Sequence, residues 1–283
     1  MSNSSAVSPF KEKDRMTKYM LLSRRDFLGK GISGITLFGI FELCGQGLFF
    51  RSLKDNSILA PRLDQESEKG FMENLRKKYF SALNRRLEEL FPEQANSIGD
   101  DIDKRHQDII RKNQAWIVDP PAEFHLFLTS LVLATYQVLV RKTNSKDTAM
   151  DIARFAFFEA QQHKAVKAYL VSMVEKEPDP FTMMVKISKS KEEKQYGKTF
   201  VFERERDDDT HYFLNVKKCF YHDFFSAHGA PELTPVFCDW DNVWGDELKD
   251  GRFGVKFERP ETIGYGGSVC RFQFTRTERQ SNL

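Results

Sequence analysis

Apolar and polar positions follow a helical period through the first half of the region after residue 60. Apolar or aromatic side chains recur about every four residues over 71–91, with charged residues between them, which is typical of an amphipathic helix. Pro92 is expected to end this helix. The same period predicts a second helix over residues 101–115 and another over residues 147–176, closed by Pro178.

The segment 122–140 is almost wholly apolar and follows Pro120 and Pro121, which suit the first turn of a helix. Its length approaches the length that a membrane span requires. Glu123 and His125, however, are residues that a span rarely carries. We therefore predict a helix buried in the core of the domain.

Strand patterns replace the helical period in the second half of the chain. Residues 199–203 and 212–214 flank an acidic turn at 207–209, which predicts a β-hairpin. A short helix is expected over residues 216–228, ended by Gly229.

Two further strands are predicted over residues 255–258 and 269–274, because apolar and polar side chains alternate there. Glycines between them suit a turn. The methionine-rich segment 181–188 fits neither pattern clearly. Helices followed by a small antiparallel sheet predict an α+β fold, with a helical half packed on the sheet and a cysteine-rich ligand pocket near the C-terminus.

The first 60 residues differ from the rest. The run SRRDFL, with Arg24 and Arg25, resembles a bacterial twin-arginine export signal, and a glycine-rich apolar stretch follows over 29–50. The alternative is a basic start to a buried helix. No good cleavage site follows, and Glu42 and Gln46 make the stretch a marginal membrane span.

This pattern predicts two parts, a signal or membrane anchor with linker over residues 1–60 and a globular domain over 61–283. The partner of the first part would be the twin-arginine translocation machinery. The domain would then be periplasmic, or anchored in the membrane and facing the periplasm.

Composition narrows the ligand class. The 43 basic and 41 acidic residues are mixed along the chain and leave a net charge of +2, so no uniform field calls for nucleic acid. The 26 phenylalanines suggest a core or pocket walled by aromatic rings. Composition thus gives no reason to expect nucleic acid as a partner.

Three of the four cysteines lie after residue 218, and Cys44 lies in the export segment. An odd number cannot pair completely within an exported domain, so at least one is a free thiol, a metal ligand or an intermolecular bridge. Zinc or iron is one alternative, although the spacing lacks the paired C-x-x-C of a strong zinc motif. Its ligands would be Cys219, His222, Cys238 and Cys270.

The C-terminal region resembles the L-2-amino-thiazoline-4-carboxylic acid hydrolase family. The matching runs are VKKCFYHDFF, PVFCDWD and FERPETIGYGGSVCRFQF. The residues that fit the family pattern are Cys219, Cys238, Asp239, Asp241, Arg259, Thr262, Gly266, Cys270 and Phe272. Arg271 stands where the family usually has an acid, and Gly264 where it has alanine.

The resemblance implies a hydrolase that acts on a C–N bond of a small cyclic amidine or amino-acid derivative. Such a substrate carries a positive amidinium and a negative carboxylate. In this interpretation Asp239 and Asp241 hold the amidinium, and Arg259 binds the carboxylate. Cys238 is the first choice for a nucleophile, with His222 as its base.

The same residues also permit other interpretations. Thr262, Gly266 and Cys270 would lie near the substrate, or the glycine-rich segment is merely a hairpin turn. Asp239 and Asp241 would simply shape a loop. A non-catalytic domain for a small molecule or metal, similar to 4-vinyl reductase-type sensors, is the main alternative function. A structural subunit with a vestigial pocket is another.

Overall fold

The computed structural model describes residues 65–280. The predicted export signal, its membrane segment and Cys44 lie outside this range and remain predictions. Within the described residues, six α-helices precede the sheet. They are α1 (Gln65–Leu90), α2 (Ala95–Lys112), α3 (Pro120–Thr143), α4 (Lys146–Ala160), α5 (His163–Lys176) and α6 (Pro180–Lys194).

Helix α3 is the predicted core helix. The Asp119 carboxylate accepts a hydrogen bond from the Ala122 amide at 3.0 Å, and Asn144 ends the helix in the left-handed region at φ 52°. By length and composition α3 could cross a membrane, but 78% of its most apolar stretch is buried inside the domain. Helices α2 and α4 pack along it, and α1 contacts it through Tyr79, whose hydroxyl lies 2.8 Å from Thr135 Oγ1.

The prediction of a single helix over residues 147–176 is wrong. Gln162 adopts φ 54°, and the chain changes direction there between α4 and α5. Apolar side chains keep a helical period on both sides of the break: Ala153 and Phe157 are buried in α4, and Leu170 in α5. The period alone therefore gave no sign of the change of direction.

Four strands form one antiparallel sheet in the order β1-β2-β4-β3. They are β1 (Val201–Asp207), β2 (His211–Lys218), β3 (Phe253–Glu258) and β4 (Cys270–Arg279). The predicted α+β fold and the hairpin are confirmed. Asp208 forms the acidic turn, and its Oδ1 accepts hydrogen bonds from the amides of Thr210 and His211, each at 2.8 Å.

Two short helices connect the strands, α7 (Phe220–Ala227) and α8 (Thr234–Gly245). The helix predicted over residues 216–228 begins later, because Val216 still belongs to β2 and pairs with Cys270 of β4. The ambiguous segment 181–188 lies within α6. The loop considered for the two aspartates is also wrong, since that stretch is helix α8.

Buried apolar side chains form two clusters. The first joins α1–α4 with α7 and α8, and the second joins α5 and α6 with the sheet. Two arginines of β4 connect the sheet to helices α5 and α6, which contribute to the second cluster. Arg279 donates to the carbonyl oxygens of Val174, Glu175 and Glu177 at the end of α5, and Arg276 binds Asp179, the N-cap of α6.

Candidate functional site

A cavity of about 170 Å³ lies between the two apolar clusters. Helices α6 and α8 and strands β2 and β4 supply much of its wall. Most of the lining is apolar or aromatic, which is typical of a small-molecule site with a few placed polar groups. Its charged, phenolic and thiol groups are Lys191, Glu192, Tyr196, Cys219, Tyr221, Cys238, Asp241, Arg259 and Cys270.

The three sulfurs come together from three different elements. Cys219 is the N-cap of α7, Cys238 lies on α8, and Cys270 opens β4. All three are buried and free, and they line the same cavity. The prediction of a common cavity therefore holds for the sulfurs.

Burial sets the protonation state of these thiols. Burial raises the pKa of Cys238 to about 12, although Arg259 and the Gly264 amide act in the opposite direction. Burial also raises the pKa values of Cys219 and Cys270. The nucleophile hypothesis required a neighbouring cation to lower the pKa of Cys238. Burial outweighs that cation, so Cys238 is a neutral thiol near neutral pH.

Asp241 and Arg259 form the central ion pair of the cavity. The Arg259 Nη1 donates to Asp241 Oδ2 at 2.8 Å, and its Nη2 donates to the Cys238 carbonyl oxygen at 2.6 Å and to Asn242 Oδ1 at 3.2 Å. Only 6% of the Arg259 side chain is exposed. Arg259 was predicted to bind a substrate carboxylate, and here most of its donors already have protein acceptors.

Burial also shifts the pKa values of the two other charged groups at this point. It raises the pKa of Asp241, against the opposing effects of Arg259 and Lys191. It lowers the pKa of Lys191, against the attraction of Asp241. The Asp241 carboxylate is therefore shared by two cations, Arg259 and Lys191, at the wall of the cavity.

Asp239 lies outside the cavity. Its carboxylate accepts hydrogen bonds from Arg154 of α4 and from the hydroxyl of Tyr265. Successive residues of a helix are about 100° apart, so Asp239 and Asp241 point about 200° apart around α8. The hypothesis that they hold one amidinium together is wrong for this arrangement.

His222 also lies outside the cavity lining. Its Nδ1 is 3.4 Å from Thr234 Oγ1, and its Nε2 is 3.5 Å from Ser226 Oγ. Within residues 65–280, no group of three or more His, Cys, Asp and Glu side chains is placed to hold a metal ion. The zinc or iron set built from His222 and the three cysteines is therefore not assembled.

The cavity falls entirely within a region that matches a known family. Residues 123–274, more than half of the chain, match the family model of L-2-amino-thiazoline-4-carboxylic acid hydrolase. The chain belongs to this family. Every residue that lines the cavity lies inside the matched region.

Other comparisons add little. No curated protein matches the chain. Two solved structures of the Fe(II) unliganded H-NOX protein from K. algicida are similar to it. One of them, a point mutant, is 12% identical, with coverage of 72% of this chain and 96% of that chain and a TM-score of 0.31. The other is 11% identical, with 72% and 98% coverage and a TM-score of 0.27. At these TM-scores the likeness supports no conclusion about function.

The first departure from the family pattern has a structural reason. A Cβ atom at Gly264 would lie 2.6 Å from Cys238 Sγ, which is closer than real contacts allow. The neighbouring Ile263 amide donates to Cys270 Sγ at 3.2 Å. Glycine at 264 thus lets the turn close over two of the three sulfurs.

The second departure lies on the far side of the sheet. Side chains alternate along a strand, and Cys270 and Phe272 line the cavity, so Arg271 points away from it. Arg271 pairs instead with Glu205 at 2.9 Å and Glu261 at 3.2 Å. The missing acid therefore removes no carboxylate from the cavity.

Thr262 and Gly266 line a separate surface depression of about 500 Å³. Arg259 borders both this depression and the cavity. Gly266 has φ 88°, which glycine adopts without strain. These two predicted substrate contacts thus belong to the turn beside the cavity.

Among the charged and phenolic groups of the cavity, sequence reasoning missed four: Lys191, Glu192, Tyr196 and Tyr221. The Tyr221 hydroxyl lies 3.1 Å from Nδ1 of the buried His125. Lys191 follows Ile187 by four positions on α6, so it lies on the apolar face of that helix. A lysine on an apolar helix face was the sequence signal that could have indicated it. That signal was not used because the segment had no assigned secondary structure.

Proposed function

We propose that this chain hydrolyses a small cyclic amidine in the cavity, with Asp241 as the general base. Membership of the hydrolase family supports the reaction class. The observation that carries the residue assignment is that Asp241 is the carboxylate beside the three thiols, with a pKa raised by burial. A base with a raised pKa takes a proton from water more readily.

Charge supports a substrate with both an amidinium and a carboxylate. The amidinium would lie against Asp241. The substrate carboxylate would lie near Lys191 and the remaining donors of Arg259. The substrate is neutral overall, so each of its charged ends gains a partner of opposite sign: Asp241 for the amidinium and Lys191 for the carboxylate.

A water oxygen adds to the amidine carbon, and Asp241 accepts a proton from that water. The tetrahedral intermediate then breaks a ring bond, and the proton passes to the atom that leaves. An N-carbamoyl thiol acid keeps both C–N bonds of a thiazoline, so the C–S bond breaks in that ring. Cleavage of a C–N bond applies where nitrogen is the leaving atom.

Cys238 has a different role in this mechanism. As a neutral buried thiol it is a poor nucleophile, and its Sγ instead packs against the turn at Gly264. It shapes the wall beside Asp241, which lies three residues further along α8.

Turnover of a panel of cyclic amidines, including 2-aminothiazoline-4-carboxylate, tests the proposal, with the released thiol measured by a thiol reagent. Cys238→Ser should keep kcat/KM within about tenfold, whereas loss of a covalent nucleophile costs about 10⁴-fold or more. A loss of that size in a folded Cys238→Ser protein would contradict the role of Asp241 and restore the thiol as nucleophile. Thermal unfolding confirms that the variant is folded.

The largely apolar wall favours a second candidate, a non-catalytic small-molecule sensor domain. Trp240 and Trp244 both line the cavity and report binding by fluorescence. Saturable quenching by the amidines without any product would favour the sensor. Product formation would exclude it.

A further inference from the structure

The cavity changes character along helix α6. Met184, Ile187, Ser188 and Lys191 all line it. Their spacing of three or four residues places them on one helix face. The face therefore runs from apolar side chains near the start of α6 to a charged one near its end.

The sheet shows the same change. Val216 pairs with Cys270 and Leu214 with Phe272, and the charged group Arg259 lies over the Phe272 ring at 5.4 Å from its centroid. Phe274 lies beyond them, and Trp244 stacks on its ring with centroids 6.1 Å apart. The part of the cavity at Phe274 is thus walled mainly by hydrocarbon and aromatic groups; the carboxylate of Glu192 also borders the cavity, but it accepts hydrogen bonds from Tyr212 and Arg204.

Additional apolar side chains border this part. Leu170 of α5 lines it together with Met184 and Ile187, and all three belong to the second apolar cluster. A small polar ring held by Asp241 and Lys191 offers these walls nothing to contact. At about 170 Å³ the cavity far exceeds the roughly 15 Å³ that one water needs.

We infer that the substrate is amphipathic, a cyclic amidine with a carboxylate and an alkyl or aryl substituent that lies against Leu170, Met184 and Phe274. This inference rests on the proposed function for the amidine and carboxylate. The substituent is assigned by the apolar end of the cavity. Burial of that substituent supplies the binding energy that the polar groups alone lack.

A series of 2-aminothiazoline-4-carboxylates with hydrogen, methyl, propyl or hexyl at ring carbon 5 tests the inference. We expect kcat/KM to rise by about three- to fourfold for each methylene until the apolar end is filled. Met184→Gln should lower kcat/KM for the hexyl compound at least fivefold relative to the unsubstituted one.

Met183→Gln is the matched control. Met183 is buried in the same cluster but does not line the cavity, so its variant should keep the chain-length preference. Both variants are compared by thermal unfolding, since each buries a new amide.

The outcomes separate the two proposals. If the unsubstituted compound turns over and longer chains add nothing, the amphipathic substrate is wrong and the hydrolase proposal stands. If no compound turns over, but quenching of Trp240 and Trp244 shows tighter binding with chain length that Met184→Gln removes, the hydrolase proposal fails. The apolar assignment then stands. Quenching that is independent of chain length overturns the assignment of the apolar end of the cavity to a substrate substituent.

Discussion

Two aspartates of helix α8 are two residues apart and occupy opposite environments. Asp239 faces Arg154 and the largely exposed Tyr265. Asp241 faces the cavity, where the buried Arg259 is its partner. The carboxylates themselves are exposed to a similar degree, 14% for Asp239 and 25% for Asp241, but the Arg154 side chain is 39% exposed and the Arg259 side chain 6%, so the two pairs differ in the burial of their cation.

The difference shows that proximity in sequence does not place two carboxylates in one site. In a loop the pair could converge on a cation, but a helix separates positions i and i+2. Arg154 and Tyr265 offset the charge of Asp239 near the surface. The charge of Asp241 lies where substrate can reach it, which gives the two residues different expected roles.

Exchange of the two carboxylates for amides should give the largest contrast. Asp241→Asn is expected to lower kcat/KM for the amidine substrate by about 10²- to 10⁴-fold, because it removes the general base. Asp239→Asn should stay within about threefold, and it is the matched control. Steady-state turnover of the two variants measures the contrast. Equal losses of kcat/KM in the two variants would contradict the assignment of Asp241 as the general base.

The pH dependence sharpens the same contrast. Since burial raises the pKa of Asp241 above its ordinary 3.8, the carboxylate that activates water forms only above that higher value. The acidic limb of the kcat/KM profile should therefore lie above pH 3.8. The limb should disappear in Asp241→Asn and stay in place in Asp239→Asn.

Linkage gives the corresponding effect on stability. The raised pKa of Asp241 contributes stability that is fully present below 3.8 and is lost as pH rises through the raised value.

The hydrophobic pattern predicted a helix or strand correctly where the residues that determine it lie within that same element. The hairpin with its Asp208 turn and the core helix α3 both follow from residues within each element. Gln162 shows the limit, because a helical period continues across the break between α4 and α5. The break itself is a single left-handed residue.

The family motif marked five candidate site residues that line the cavity, Cys219, Cys238, Asp241, Arg259 and Cys270, and their roles there stay predictions. The motif gave no information on which side of a helix a residue faces. Asp239 carries the same motif signal as Asp241, and only the secondary structure of α8 distinguishes them. Lys191 had no motif, and it reaches the cavity through tertiary packing of α6 on the sheet.

The two arginine partners should differ in their effect on stability. Arg259→Met removes the directly paired cation from Asp241 and leaves Lys191 as the other cation near it, so we expect a loss of about 3 kcal/mol in the free energy of unfolding, at the lower end for breaking a buried pair. Arg154→Met breaks a partly exposed pair and should cost about 1 kcal/mol or less. Urea unfolding at pH 7 measures both values. Similar losses in the two variants would mean that the buried Arg259 stabilises its carboxylate no more than the partly exposed Arg154 does.

The smallest predicted effect concerns the turn that closes over the cavity face of α8. Gly264→Ala introduces the family's usual residue, but its Cβ would lie 2.6 Å from Cys238 Sγ, with Thr234 Cγ2 at 3.2 Å. We expect a loss of about 1–3 kcal/mol from overpacking, measured by urea unfolding.

Cys238→Ala in the same chain removes the sulfur and should recover part of this loss, so the double mutant will be more stable than the sum of the single changes predicts. If the losses of stability in the two single mutants simply add in the double mutant, the new Cβ does not clash with Cys238 Sγ. Its clash would then be with the backbone at the start of α8. Gly266→Ala is no substitute for this test, because φ 88° would strain any side chain there whatever the space. A coupling between residues 264 and 238 would show that the glycine in this chain accommodates the thiol of α8.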